Sequence, residues 1–183
     1  METKNSSARV SDPGTMPTYT TLPCHDSARR SSSEGTATSP DKPLLVGEAN
    51  PYDTNPGYAL LPFPVNSSGW RLCRKVLEMD YREYLRIFNR TNLCSRNWSV
   101  RTARERAEKI RGEYDGPVIL LGAKVCLAFG IPYVPFAIQT SVLGRCRAIG
   151  VLPHPSGLCR VWNDPNSKMK AQALALLLRR GEE

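Results

Sequence analysis

The sequence predicts an α/β fold: a three-layer sandwich with a central, mostly parallel four-stranded sheet. Two observations carry this. Short strand-like segments alternate with segments that open on helix caps. Strands that alternate with helices pack as a parallel sheet between helical layers. The chain is also the right size and mixture for one core. It has 183 residues, 40% of them hydrophobic and 23% charged. That is too apolar for a wholly disordered chain and too mixed for a coiled coil.

The elements follow in order. Pro43-Leu44-Leu45-Val46 reads as a short buried strand ending at Gly47, and a Pro/Gly/Asn-rich loop follows from Glu48 to Asn66. Ser67 or Ser68 caps a helix from about Gly69 to Glu78. Asp80, with Glu83 three residues on, starts a second helix, Tyr81 to Ile87. Phe88 to Cys94 holds the second strand. Ser99 caps a basic, amphipathic helix from Val100 to Arg111. Gly116-Pro117 introduces Val118-Ile119-Leu120-Leu121-Gly122, the clearest buried strand. A helix from Ala123 to Phe129 closes at Gly130. A fourth strand, about Arg147 to Leu152, runs into His154-Pro155-Ser156-Gly157. Asp164 caps a last helix with Pro165 at its first position.

Residues 1–40 hold 15 Ser or Thr and four Pro, with few large apolar side chains. Such a segment cannot bury enough surface to offset its chain entropy, so a disordered tail is expected before a folded domain at 41–183. No apolar run approaches the roughly 20 residues that span a bilayer, so no membrane association is expected. Met1 to Asn5 opens no signal stretch, and a cytoplasmic location is expected.

The formal net charge is +8. The first 40 residues carry four basic and four acidic groups, so the excess lies in the domain. It is densest between Arg71 and Arg111, with 12 basic and five acidic residues. Such a face is either a solvated helix surface or a site that neutralises phosphates. The six cysteines include no C-x-x-C pair, so no metal is expected. Phosphate-cradling and dinucleotide glycine loops are absent, as are the common zinc and serine hydrolase motifs, so no cofactor is expected.

Two strand-end loops remain as chemistry. In Gly47-Glu48-Ala49-Asn50-Pro51-Tyr52 a carboxylate sits where a parallel sheet opens, placed to orient or deprotonate water. Equally, its Glu caps a turn. In His154-Pro155-Ser156 a rigidly flanked imidazole can donate to a developing anion, or simply complete a turn.

Together these motifs resemble the uracil-DNA glycosylase superfamily, over most of residues 41–180. Gly47-Glu48-Ala49 is similar to the G-E-A start of its iron–sulfur branch. Pro62-Phe63, followed by Gly69, resembles that branch's P-F segment, and Thr91-Asn92 its T-N segment. Val118 to Gly122 with the following helix fits the third strand. His154-Pro155-Ser156-Gly157-Leu158 is similar to the H-P-S-P-L loop of the uracil-specific branch. The cysteine pair of the iron–sulfur branch is missing, so no cluster is expected.

The resemblance implies roles. His154 stabilises charge on the departing base, Asn92 reads the base edge and Phe63 stacks on it. Leu158 wedges into the duplex, while Ser67, Ser68, Ser156 and Arg160 hold phosphates. For the water, Glu48 ranks first by its distance from Gly47. Counted from Pro51-Tyr52, Asn50 takes the place; Asp53 ranks third. Tyr52 matches a Tyr that screens the pyrimidine 5-position. The resemblance implies a monomeric, monofunctional DNA glycosylase that flips and excises uracil or a modified pyrimidine. With no Lys in either loop, a Schiff-base lyase step is not expected. Three other readings stand beside it. They are a glycosylase for bulky hydroxymethylated or glucosylated bases of phage DNA, acting in defence; a non-catalytic DNA-binding module; and a hydrolase of free nucleosides or nucleotides.

Overall fold

The structure is a computed structural model that describes residues 42–50, 55–139 and 144–180. They lie in a single unit spanning Gly35–Glu183. The expected tail at 1–40, Tyr52 and Asp53 lie outside the described residues. Five strands form one sheet: β1 (Leu44–Ala49), β2 (Asn89–Cys94), β3 (Val118–Leu121), β4 (Ile138–Gln139) and β5 (Ile149–Leu152), in the order β2-β1-β3-β5-β4. β1 pairs parallel with β2 and β3, and β3 parallel with β5. The expectation of four strands is therefore corrected to five. The extra one, β4, has two residues and pairs antiparallel with β5, Ile138 beside Gly150. So short an edge strand carries no hydrophobic period of its own and forms only because β5 offers it a partner.

Strand periodicity explains the layers. Side chains alternate between the two faces of a sheet. Leu44, Val46, Val118, Leu120, Ile149 and Val151 face one core, against Ala103, Ala107 and Ile110 of α3 (Val100–Glu113) and Val125 and Phe129 of α4 (Ala123–Phe129). Leu45, Ile119, Leu121 and Leu152 face the other. They pack there on Leu72, Cys73 and Val76, on Tyr84 and Ile87 of α2 (Tyr81–Ile87), and on Ala171, Leu174 and Leu178 of α5 (Pro165–Arg180). Strands covered on both sides read as continuous apolar runs, which is why Val118 to Leu121 is so legible.

Several boundaries differ from expectation. β1 continues past Gly47 to Ala49, because β2 stays paired with it as far as Ala49 beside Cys94. Glu48 thus lies on a strand, not in a loop. Ser67, not Ser68, caps α1 (Ser68–Arg71), its hydroxyl accepting from the Trp70 N–H at 3.1 Å. The helix expected to reach Glu78 passes into a π-helical segment, Leu72–Val76, which ends as the Leu77 N–H donates to the Leu72 carbonyl. Glu78 then turns the chain with φ 53°. Asp80, Ser99 and Asp164 each accept a hydrogen bond at the helix start they were expected to cap.

The segment between β1 and α1 is tied to the core from below. The fully buried Tyr84 hydroxyl donates to the Leu60 carbonyl at 3.1 Å. Burial pushes the Tyr84 phenol well above its ordinary range. Tyr84→Phe removes that donor and leaves the carbonyl without it. Urea unfolding should show a loss of about 1–2 kcal/mol. An unchanged midpoint would mean that the bond does not anchor this segment.

Candidate active site

Parallel strands in one sheet deliver their carboxyl ends to one edge, where loops open into a crevice. Here β1 delivers Glu48 and Asn50, β2 delivers Asn92, β3 delivers Gly122, and β5 is followed two residues on by His154. A cavity of about 620 Å³ opens at this edge. Glu48, Asn50, Phe63, Ser67, Ser68, Asn92 and His154 all line it. Seven side chains singled out in the sequence are thus brought together from four separate segments. Ser156, Leu158 and Arg160 do not line it; they follow His154 along its loop.

Glycines set the distances. Gly47 lies beside Asn92 in the β1–β2 register. A Cβ on Gly47 would sit 2.3 Å from the Asn92 Oδ1. The bare backbone of β1 is what lets the Asn92 amide lie across it into the cavity. Gly69 plays the same part for the opposite wall. A Cβ there would lie 2.1 Å from the Leu61 carbonyl oxygen and 2.4 Å from the Leu60 carbonyl carbon. Helix α1 can therefore seat directly on the segment carrying Leu60 and Leu61.

Glu48 and His154 meet at a third glycine. Gly122 has φ +100°, and its N–H donates to the Leu152 carbonyl at 2.9 Å. A Cβ there would lie 3.1 Å from the His154 Cβ and 3.6 Å from the Glu48 Oε1. The two side chains thus converge over a residue with no side chain of its own. The backbone of His154 is held in turn, since its carbonyl accepts from the Trp162 indole N–H at 3.0 Å. Lys124, in the first turn of α4, donates from Nζ to the Glu48 Oε2 at 3.1 Å. Its ammonium also lies 5.7 Å from the centroid of the Trp98 ring.

Burial lowers the pKa of His154, and the Lys124 charge lowers it further, while the Glu48 carboxylate opposes both. A neutral imidazole donates from one nitrogen and accepts at the other.

Other assigned residues divide by position. Phe63 keeps 52% of its surface exposed in the cavity wall, so a flat partner can reach its ring. Leu158 is 93% exposed, an apolar side chain with almost nothing to pack on. Ser67 is engaged within its own segment, since its hydroxyl accepts from Trp70 and donates to the Leu61 carbonyl at 3.4 Å. In this arrangement its hydroxyl serves the start of α1. Arg71, which carried no individual role, stands between the two site loops. Its Nε donates to the Asn66 carbonyl at 3.2 Å, and a Cβ on Gly157 would fall 2.9 Å from its Nη2. Tyr58 and Asn66 also line the cavity without having been singled out. No motif marks Lys124 either. Its one signal is position, two residues after the Gly that ends β3. Among the described residues no cluster of three or more His, Cys, Asp or Glu forms a metal site. No described helix is long and apolar enough to cross a membrane.

No family model matches this chain, and no curated protein matches it.

The lowered pKa of His154 links stability to pH. The unfolded chain takes up a proton near 6.5, while the folded protein resists it. Stability is therefore whole above that pH and is lost as pH falls toward the folded midpoint. NMR titration should place the His154 imidazole below the ordinary histidine value. His154→Asn should flatten the fall in urea stability below pH 6.5. A His154 midpoint above the ordinary value would contradict the geometry described.

Proposed function

We propose that this chain is a DNA N-glycosylase of the uracil-DNA glycosylase type, excising uracil or a modified pyrimidine. The observation that carries the reading is the meeting of Glu48 and His154 over Gly122, at a cavity that also holds Asn92 and Phe63. The four parallel strands, with helices on both faces, support the reading. We further assign it a monomeric state and a cytoplasmic setting, with DNA as partner.

The chemistry follows from the placement. A base inside the stack is out of reach, so it must be extruded at a cost of a few kcal/mol. Phe63 offers a stacking face, and the Asn92 amide offers one donor group and one acceptor to the base edge. Leu158 fills the gap left in the duplex. Ser68, Ser156, Arg71 and Arg160 supply phosphate contacts, which position the strand without reading its sequence. As the N-glycosidic bond breaks, its electron pair leaves on the base and positive charge gathers on the sugar. An N–H of His154 stabilises the base anion. Glu48 offsets the sugar charge and orients the water that adds to C1′. One water proton stays in the new C1′ hydroxyl, the other passes to Glu48 and then to solvent, and the base anion takes up a proton from solvent. The products are a free base and an abasic sugar.

A second reading is a bulky, hydroxymethylated or glucosylated base of phage DNA, with a role in defence. The half-open cavity of about 620 Å³ has room for such a base with its sugar, as it has for uracil.

The test is a panel of oligonucleotides carrying uracil, thymine mismatches, hydroxymethylcytosine and its glucosylated form, treated with alkali after incubation. Strand cleavage at one base should identify the substrate. Glu48→Gln should slow excision roughly 100-fold or more. His154→Ala should cost about 100–1,000-fold. Tight binding without cleavage on any substrate would instead support a DNA-binding module. Loss of activity in Asn50→Ala but not Glu48→Gln would move the water-orienting role to Asn50.

A further inference from the structure

Lys124 is the charged neighbour of the proposed catalytic carboxylate that no motif marks. It sits in the first turn of α4, where the helix end carries partial positive charge and a cation is unfavourable. Two contacts hold the lysine there. Nζ bonds Glu48 Oε2 at 3.1 Å, and the Trp98 ring lies 5.7 Å from the ammonium. Trp98 itself is half-buried against the core that α3 and α4 cover. The lysine is therefore braced from the protein side and reaches toward the cavity edge from there.

The pair is asymmetric. The Glu48 side chain is 22% exposed and the Lys124 side chain 57%. An exposed ion pair adds little to stability. What this one does is geometric. A glutamate at a strand end has three rotatable bonds and, unpaired, samples several rotamers. With Oε2 held by Lys124, Oε1 is the oxygen that lies toward Gly122, which the His154 side chain also approaches.

We propose that Lys124 is a positioning residue for Glu48: by holding one carboxylate oxygen, it aims the other at the sugar and water beside His154. The inference rests on the glycosylase reading given above. The basic face offers an opposing role, since a lysine this exposed also suits a DNA phosphate. The two roles separate by experiment. A phosphate contact changes affinity and its salt dependence. A positioning residue changes the chemical step after binding is complete.

Lys124→Met keeps the aliphatic stem and removes the charge; Lys124→Arg keeps the charge and a donor. Single-turnover excision, with enzyme in excess over the best substrate of the panel, should fall roughly 10–100-fold in Lys124→Met. Lys124→Arg should recover most of that loss. The Kd for the same duplex should change less than about threefold, because one exposed cation among many contributes little to overall affinity. A weaker Kd with an unchanged single-turnover rate would overturn the proposal and make Lys124 a phosphate contact. An unchanged rate and an unchanged Kd would also overturn it.

A second arm needs no activity. Crystal structures of the wild type and Lys124→Met should show the Glu48 carboxylate turned away from Gly122 in the variant. An unmoved carboxylate would overturn positioning even if excision were slowed. A wild type that releases no base from any DNA would instead sink the glycosylase reading, while the crystallographic arm would still decide what Lys124 does to Glu48.

Discussion

Gly47 has no side chain, and the placement of the Asn92 amide in the cavity depends on it. Any Cβ there would collide with the Asn92 amide, 2.3 Å away. With β1 bare at that point, Asn92 crosses to the cavity and Glu48 follows on the next residue. The same device recurs at Gly69, which brings α1 against the Leu60–Leu61 backbone, and at Gly122, over which Glu48 and His154 meet. At Gly47 and Gly69 the neighbours stand closer than a Cβ allows, while at Gly122 the backbone conformation asks for glycine.

The architecture around these contacts is the ordinary consequence of a parallel sheet. Its strands are buried on both faces, so their sequences are apolar almost throughout, and their carboxyl ends share one edge. Chemistry placed after β1, β2, β3 and β5 therefore converges without any long excursion of the chain. Tyr84 extends that support outward, since its hydroxyl holds the Leu60 carbonyl beneath the cavity wall. Trp162 holds the His154 carbonyl in the same manner. Neither aromatic residue lines the cavity, yet both determine where lining residues stand.

What was legible in the sequence follows from how local each signal is. Helix starts at Asp80, Ser99 and Asp164 are set by a side chain and a backbone N–H two or three residues away, and these were readable. So was the run Val118 to Leu121, whose composition alone marks burial. The π-helical segment Leu72–Val76 was not, because residues that continue an α-helix differ little from those that widen it. β4 was missed because two residues carry no period. In the candidate site, Glu48, Asn92 and His154 stood out through short motifs in a consistent order. Lys124 and Arg71 did not, because their partners are distant in sequence: Lys124 lies 76 positions from Glu48, and Arg71 packs against Gly157. Ser67 shows the reverse case, a residue with a phosphate role by resemblance whose hydroxyl is engaged in its own helix.

Electrostatics divide the labour between surface and site. The net charge of +8 attracts any phosphate backbone and cannot select a base. Under the proposed reading, selection and bond cleavage fall to the few groups around Gly122, where a carboxylate, an ammonium and a half-buried imidazole influence one another. The most direct measurement of the account is mass spectrometry of the small molecules released when the protein is incubated with duplex DNA containing uracil, or with DNA bearing hydroxymethylated and glucosylated pyrimidines. The expected result is a free base, with the deoxyribose left in the strand. Duplex DNA that is bound by the protein yet releases no base from any of these substrates would contradict it.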